Sequence, residues 1–216
     1  MKKKPEKQRF KRFMHLLFAP LFLLFFRVKV EGRENLPAEG GAVIAANHIS
    51  FMDAILLAAA FPRKRMPRFL AKSELFKIPL LRGVVRLFGA ISLDRGGKDV
   101  LAMRRAITTV QEGELLAIFP QGTRQKGKNP ADTPIKSGIA MIAAHAGAPI
   151  YPVCFSMKKN RYAFLRKIHL KIGKALTPQE LGLDAETPSY QSAAKTAFRA
   201  VCELGGYLPT PKETDS

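Results

Sequence analysis

Cysteine is scarce in this chain of 216 residues, which contains only Cys154 and Cys202. Both lie in apolar surroundings at an unrelated spacing, so we expect two reduced core thiols, which suit a cytosolic environment, and not a disulfide. Metal-ligand spacing is also lacking, because the four histidines fall in four separate segments, and the sequence therefore predicts no metal site. These histidines are His15, His48, His145 and His169.

Acidic residues are few as well. The chain has 17 Asp and Glu residues against 36 Lys and Arg residues, which gives a formal net charge of +19. Such an excess of positive charge favours a polyanionic partner: an anionic membrane surface, nucleic acid or a phosphate-bearing substrate. The length fits one domain with a sizeable core. We divide the chain into a basic and apolar segment (1–27), a folded domain (28–208) and a polar tail (209–216).

The sequence lacks an apolar run of the roughly 20 residues that a membrane-spanning helix needs. The best candidate, residues 13–26, is shorter and contains Pro20. No small-residue cleavage site follows it, so we do not interpret it as a secretory signal peptide. Because a basic flank precedes this Phe- and Leu-rich stretch, we predict a helical segment that lies on or dips into one leaflet of an anionic membrane. A core helix with a disordered basic tail is the alternative.

Apolar runs of strand length alternate with helical periods along the remaining chain. This alternation predicts an α/β fold with a mixed, mostly parallel central sheet flanked by helices. Predicted strands fall within 28–31, 41–46, 69–71, 89–95, 115–119, 150–155 and 168–172. Predicted helices fall within 54–60, 80–88, 98–112 and 137–146, and a last one has Thr187 as its N-cap, Pro188 at its first position and an end near Gly205.

Residues 47–53 form a strand-to-helix turn and contain a histidine and an aspartate. Ser50 and Asp53 have the spacing of a capping box, which predicts Ser50 as the N-cap and leaves His48 just outside the helix. If the chain folds back at His48, the Asp53 carboxylate can orient the imidazole, which then acts as a general base. The plain alternative is that Asp53 caps the helix and His48 is a hydrogen-bonded turn residue.

Cationic groups follow three other predicted strands. Lys72 follows the third strand, Arg95 ends the fourth, and Gly122, Thr123 and Arg124 follow the fifth. In a mostly parallel sheet, ligands collect at the carboxyl ends of the strands. There the His–Asp pair and two arginines would make a base beside an anion site, in which Gly122 permits close backbone approach and Arg124 grips a phosphate.

Four motifs, in this order and spacing, resemble those of the glycerolipid acyltransferase family, the 1-acyl-sn-glycerol-3-phosphate (lysophosphatidate) acyltransferases. They are the His-x4-Asp motif at His48 and Asp53, the Gly-x-Ile segment ending in Arg at 89–95, the Phe-Pro-Glu-Gly-Thr-Arg motif at 119–124 and the Pro-containing apolar motif at 148–153. The similarity runs from about Gly32 to Gly173. One position departs from the family pattern: Gln121 replaces the glutamate of the third motif.

The resemblance implies an enzyme that acylates the sn-2 hydroxyl of lysophosphatidate with a fatty acyl thioester of coenzyme A or acyl carrier protein. It implies that His48, oriented by Asp53, deprotonates the hydroxyl, and that no cofactor is needed. It also implies that Arg95 and Arg124, with Gly122, Thr123 and Lys72, bind the phosphate. Asn47 and Gln121 are the supporting motif residues. The sequence has no nucleophile-elbow serine or cysteine, which agrees with direct transfer.

The expected location is the cytoplasmic face of the cell membrane, as a peripheral or monotopic protein. Other functions remain open at this point. A related acyltransferase would use glycerol 3-phosphate or another lyso-lipid. The loss of the motif glutamate at Gln121 suggests a lipid-binding protein without turnover. The charge alone suggests a nucleic-acid-binding protein, but no recognised binding motif is present, and we expect no nucleic-acid partner.

Overall fold

The computed structural model describes residues 19–87, 89–94, 99–162 and 166–211. Within these residues seven strands form one sheet, as the alternating pattern of the sequence predicts. The strands are β1 (Val28–Glu31), β2 (Ala42–Ala46), β3 (Arg68–Lys72), β4 (Ile91–Leu93), β5 (Leu115–Ile118), β6 (Ile150–Ser156) and β7 (Ile168–Ile172). The helices are α1 (described over 19–25), α2 (Met52–Ala60), α3 (Pro79–Leu87), α4 (Val100–Gln111), α5 (Gly138–Ala146) and α6 (Tyr190–Gly205).

The strand order across the sheet is β1-β7-β6-β2-β5-β3-β4. Strands β6, β2, β5, β3 and β4 are parallel neighbours, whereas β7 pairs with β6 in the antiparallel sense and with β1 in the parallel sense. The sheet is therefore mixed and mostly parallel, as predicted. Because five strands run the same way, the segments that follow them all leave from one edge of the sheet.

Helices cover both faces of the sheet, which explains why the central strands are continuously apolar. Every residue of β2 is buried. Since successive side chains of a strand point to opposite faces, Val43 and Ala45 pack with residues of α4, α5 and α6. Ile44 and Ala46 pack on the other face with residues of α2 and with side chains from the N-terminal segment. These two layers fix where β2 ends and the next segment begins.

Two predicted helix starts are wrong. Helix α2 begins at Met52 with Phe51 as its N-cap, and the Ser50 hydroxyl accepts a hydrogen bond from the Met52 N–H at 3.3 Å without being the cap. Helix α6 begins at Tyr190, and its N-cap is Ser189, whose side chain accepts the Ser192 N–H. Both helices begin later than the sequence pattern indicates, because a nearby serine or proline fits the preceding turn as well as the cap.

The strand predicted within 89–95 is shorter in the structure, where β4 comprises Ile91–Leu93. Gly89 has a φ of 64°, a left-handed conformation that favours glycine and belongs to the turn before the strand. Helix α4 then begins at Val100, with the Asp99 side chain accepting the Ala102 N–H at 2.8 Å. The loop between them includes Arg95, which lies outside the described residues.

The described part of the N-terminal segment is helical over 19–25. Phe22, Leu23 and Phe26 pack against the α2 side of the core. Leu21, Leu24 and Phe25 are exposed, Leu24 by 76%. None of the helices in the described ranges is long and apolar enough to cross a membrane. Residues 1–18, which carry most of the basic head, lie outside the described residues.

Candidate active site

The sequence-predicted site residues follow strands β2, β3, β4 and β5, whose carboxyl ends lie at the same edge of the sheet. His48 comes two residues after β2, and Gly122, Thr123 and Arg124 lie in the loop after β5, its direct neighbour. Lys72 is the last residue of β3, which lies on the far side of β5. With about 4.8 Å between strands, β3 and β2 are about 10 Å apart.

His48 and Asp53 are in direct contact. The Nδ1 atom of His48 lies 2.8 Å from Oδ2 of Asp53. The Asp53 side chain is fully buried, whereas the His48 side chain keeps 18% of its surface exposed. A carboxylate can only accept a hydrogen bond, so Nδ1 carries the ring proton and Nε2 is the basic nitrogen.

The turn before α2 explains how two side chains five residues apart can meet. Oδ2 of Asp53 accepts hydrogen bonds from the backbone N–H groups of Ile49, at 2.6 Å, and Ser50, at 2.7 Å. These amides hold the carboxylate over the start of the helix, on the side where the chain reverses after His48. The carboxylate therefore organises the turn as well as the imidazole, and the cap contact to Ser50 coexists with the contact to His48.

A fourth partner of Asp53 was not predicted. The hydroxyl of Tyr162, in the connection between β6 and β7, donates a hydrogen bond to Oδ1 of Asp53 at 2.5 Å. Burial, followed by the Asp53 charge and this hydrogen bond, raises the pKa of Tyr162 well above its usual range. The hydroxyl therefore remains protonated and continues to donate. Because 109 residues separate the two partners, no local spacing in the sequence signals this contact.

The loop after β5 holds the backbone of His48 at both of its polar groups. The His48 N–H donates to Oε1 of Gln121 at 2.6 Å, and the His48 carbonyl accepts from the N–H of Gln125 at 2.8 Å. The ring of Phe119 stacks on the imidazole with centroids 4.1 Å apart and an interplanar angle of 16°. The imidazole is thus fixed through both its ring and its backbone. The Phe119 and Gln125 contacts were not predicted either.

Gln121 is 4% exposed and has a partner for each half of its amide. While Oε1 accepts from His48, Nε2 donates to the Thr133 hydroxyl at 2.7 Å, and that hydroxyl donates to the Pro130 carbonyl at 2.7 Å. The amide therefore supplies one acceptor and one donor, and a glutamate would supply no donor. The side chain bonds to His48 and Thr133, which differs from the role of orienting Arg124 that an anion at this position would suggest.

Asn47 extends the pairing of β2 with β6 beyond the end of β2. Its Oδ1 accepts the N–H of Phe155 at 2.8 Å, and its Nδ2 donates to the carbonyl of Phe155 at 2.9 Å. The side chain is fully buried. By replacing a backbone ladder contact, Asn47 fixes the point at which the chain leaves the sheet, and so the position of His48.

A cavity of about 330 Å³ adjoins the His–Asp pair. Its walls come from the turn after β2, the loop after β5 and the connection between β6 and β7. The lining residues are Ile49, Ser50, Arg124, Lys126 and Tyr162. His48 and Asp53 do not line the cavity themselves, but Ile49, Ser50 and Tyr162, which all bond to Asp53, do. Two cations therefore lie in a cavity next to the turn that carries the pair, an arrangement suited to an anionic substrate that carries a hydroxyl.

The remaining predicted residues have different positions around this cavity. Thr123 is exposed in the same loop as Arg124. Gly122 has a φ of 69°, and a Cβ there would lie 3.1 Å from the Lys136 side chain; its N–H donates to the carbonyl of Phe119. Lys72 is exposed and does not line the cavity. Gly122 therefore serves the loop turn, and its N–H is occupied within that turn.

Comparison with known proteins decides the family. A family model described as acyltransferase matches residues 27–156. The chain belongs to the acyltransferase family. It is an O-acyltransferase enzyme, and the matched region contains His48, Asp53 and the loop after β5. Among the described residues of this acyltransferase, no group of three His, Cys, Asp or Glu side chains is placed to hold a metal ion.

Named relatives and a solved structure resemble this acyltransferase. The 1-acyl-sn-glycerol-3-phosphate acyltransferase of Bacillus subtilis is 31% identical over 145 residues, which are 67% of this chain and 70% of the relative. The enzyme of that name from Borreliella burgdorferi is 33% identical over 143 residues, 65% of this chain and 55% of the relative. The crystal structure of the 1-acyl-sn-glycerophosphate (LPA) acyltransferase of Thermotoga maritima matches with a TM-score of 0.67 and 28% identity, covering 97% of this chain and 86% of that chain.

Proposed function

We propose that this acyltransferase transfers a fatty acyl group from an acyl thioester to the sn-2 hydroxyl of 1-acyl-sn-glycerol 3-phosphate and so forms phosphatidate in phospholipid synthesis. The observation that carries the proposal is the His48–Asp53 pair beside a cavity with two cations, Arg124 and Lys126. The names of the Bacillus and Thermotoga relatives support the choice of acceptor. The thioester is a coenzyme A or acyl carrier protein conjugate.

In the proposed reaction, Nε2 of His48 takes the proton of the sn-2 hydroxyl as its oxygen attacks the thioester carbonyl carbon. The buried Asp53 carboxylate stabilises the imidazolium that forms. When the tetrahedral intermediate collapses, the C–S bond breaks and the imidazolium proton goes to the departing thiolate. The products are phosphatidate and the free thiol, and His48 returns to its starting state.

The backbone contacts of His48 give this reaction its geometry. Because Gln121 and Gln125 hold the N–H and carbonyl of His48, and Phe119 stacks on its ring, the imidazole is held in place before the substrate binds. Such preorganisation lowers the entropic cost of bringing base and hydroxyl together.

The acceptor phosphate is proposed to bind in the cavity, where Arg124 and Lys126 supply the positive charge. The guanidinium of Arg124 can form a two-point contact with a phosphate, and the Lys126 ammonium adds a single charge. Arg95 and Lys72 are further phosphate ligands in this proposal on the basis of the family resemblance alone, since Lys72 does not line the cavity and Arg95 lies outside the described residues. Ser50 and Tyr162 are the other polar residues in the cavity wall.

We also propose that the enzyme acts at the cytoplasmic face of the cell membrane as a peripheral or monotopic protein, with residues 1–27 as its membrane-associating segment and 28–208 as the acyltransferase domain. The exposed side chains of Leu21, Leu24 and Phe25 on the N-terminal helix support this location. The formal charge of +19 supports binding to anionic head groups.

The experiment is an acceptor and donor panel with the detergent-purified protein. Lysophosphatidate, glycerol 3-phosphate and a phosphate-free lyso-lipid are each offered with acyl-coenzyme A and with acyl-acyl carrier protein. We expect the highest kcat/KM with lysophosphatidate and product with at least one of the donors. A phosphate-free acceptor with a higher kcat/KM would contradict the proposed role of Arg124, and preference for glycerol 3-phosphate would replace the acceptor while keeping the reaction.

A further inference from the structure

Tyr162 and His48 bind the same carboxylate at different oxygens. Oδ2 of Asp53 accepts from Nδ1 of His48 and from the backbone amides of Ile49 and Ser50. Oδ1 accepts from the Tyr162 hydroxyl. Tyr162 comes from the connection between β6 and β7, and it lines the cavity together with Ile49 and Ser50 of the turn that carries the pair. The orientation of the carboxylate therefore depends on a segment beyond residue 156, where the family match ends.

We infer that Tyr162 is a positioning residue of the acyl transfer. Its hydroxyl fixes the rotation of the Asp53 carboxylate and reduces the negative charge that this carboxylate presents to the His48 proton. This inference rests on the proposed function. A hydrogen bond donated to one oxygen of a carboxylate stabilises its negative charge, so less charge is available at the other oxygen. With Tyr162 in place, Asp53 holds the imidazole without trapping it as imidazolium.

Other charged groups near the pair do not explain this effect. Arg124 and Lys126 line the same cavity, and their positive charges disfavour a positive charge on the imidazole. Neither β2 nor α2 contributes a further titratable side chain besides Asp53. The two cations are present in both the native enzyme and a Tyr162 variant, so a difference between these enzymes reports on the hydroxyl.

The test is Tyr162→Phe, which keeps the ring and removes only the hydroxyl. Without this donor, more charge remains at Oδ2, and the two backbone amides still donate to that oxygen. The imidazolium then persists to higher pH, so the acid limb of the kcat/KM profile should move upward by about half a pH unit. We expect kcat at neutral pH to fall up to about three-fold, the most that a half-unit shift produces, with recovery at alkaline pH, and KM for both substrates to stay within about two-fold.

Tyr207→Phe is the matched control. Tyr207 is a second partly buried tyrosine, and its hydroxyl donates to the side chain of Asn160 and to the carbonyl of Phe155, which Asn47 also binds, but not to His48 or Asp53. Its removal perturbs packing and hydrogen bonding to a similar degree, so it should leave the acid limb in place. Circular dichroism and the unfolding midpoint of each variant show whether it folds.

The outcomes separate this inference from the proposed function. A folded Tyr162→Phe enzyme with an unmoved acid limb, or with an equal loss of activity at every pH, would overturn the positioning role. An acid limb that moves upward in Tyr162→Phe and not in Tyr207→Phe would support it. If His48→Ala retained native activity, the proposed function itself would fail whatever Tyr162 does.

Discussion

The Oε1 atom of Gln121 lies 2.6 Å from the backbone nitrogen of His48, so the loop after β5 binds the histidine through an amide where the family motif has a carboxylate. The other half of that amide donates to the Thr133 hydroxyl. This arrangement gives the substitution at 121 a structural explanation: the network around it includes an acceptor as well as a donor. We therefore expect Gln121 to affect the stability of the loop and the position of His48 more than the charge of the site.

Replacing Gln121 tests that network. In Gln121→Glu, the new carboxylate still accepts from the His48 N–H. The Thr133 hydroxyl must then turn away from the Pro130 carbonyl in order to donate to this carboxylate. We expect kcat within about three-fold of native, since one hydrogen bond is exchanged for another. Gln121→Leu leaves the His48 N–H without a partner and should lower the free energy of unfolding by about 1–3 kcal/mol, with a larger loss of kcat. Equal activities of the Leu variant and the native enzyme would refute the positioning role of Gln121.

Asp53→Asn should inactivate the enzyme while preserving its size and shape. A neutral amide does not stabilise the imidazolium as a carboxylate does. If its NH₂ group faces Nδ1 of His48, that nitrogen must accept the hydrogen bond and the ring proton moves to Nε2, which then cannot act as the base. We expect a loss in kcat of about 10²- to 10⁴-fold, the range of general-base catalysis. Steady-state kinetics with lysophosphatidate measure it. Retention of more than a tenth of native kcat would show that the pair is a cap and a turn residue only.

Arg124→Ala should weaken binding of the acyl acceptor, lysophosphatidate, more than binding of the thioester donor. Because Arg124 lines the cavity proposed for the phosphate, its loss removes a charge-assisted contact. We expect KM for lysophosphatidate to rise about ten-fold, a size typical of one such contact, and KM for the thioester to change little. Arg199→Ala on the exposed side of α6, on the opposite face of the sheet from α2, is the control and should behave as native. A rise in the thioester KM alone would assign Arg124 to the donor.

Asn47→Ala should destabilise the fold and displace His48. The variant leaves the buried N–H of Phe155 without its partner, and it leaves the Phe155 carbonyl with only the longer contact from the Tyr207 hydroxyl at 3.4 Å. Two such losses correspond to about 2–4 kcal/mol in the free energy of unfolding. Urea denaturation of the detergent-solubilised protein measures the change. Unfolding at the native midpoint would mean that water replaces the amide.

Leu24→Glu combined with Phe25→Glu should weaken membrane binding. Both side chains are exposed on the N-terminal helix, and glutamate adds repulsion from anionic lipid. We expect less protein to sediment with phosphatidylglycerol-containing vesicles, and a further loss at high salt. Leu208→Glu, an equally exposed leucine near the end of the described chain, is the control. Equal sedimentation of both variants would argue against this helix as the contact.

The sequence alone predicts much of the sheet because its strands have simple patterns. The run 41–46 is apolar on both faces, and Ile168, Leu170 and Ile172 alternate with polar residues, so both segments were predictable as strands. Helix starts at 50–52 and 187–190 were mispredicted by a few residues, since several neighbouring side chains can serve the same turn.

The candidate site was predictable only where its residues are close in the sequence. The spacing of His48 and Asp53 permits a contact but does not require one, and the structure shows the two amides that bring it about. Tyr162 and Thr133 come from segments with no motif, and they reach the site because the sheet topology brings loops together. Such long-range contacts have no local signal in a single sequence.

The most direct test of the account is phosphatidate formation by His48→Ala beside the native enzyme, with lysophosphatidate and the donor that the native enzyme prefers. His145→Ala is the matched control, because His145 is exposed on α5 and bonds to the Met141 carbonyl of its own helix. The account predicts product from the native enzyme and from His145→Ala, and a loss of about 10²-fold or more in His48→Ala. Native-like turnover by a folded His48→Ala enzyme would contradict it.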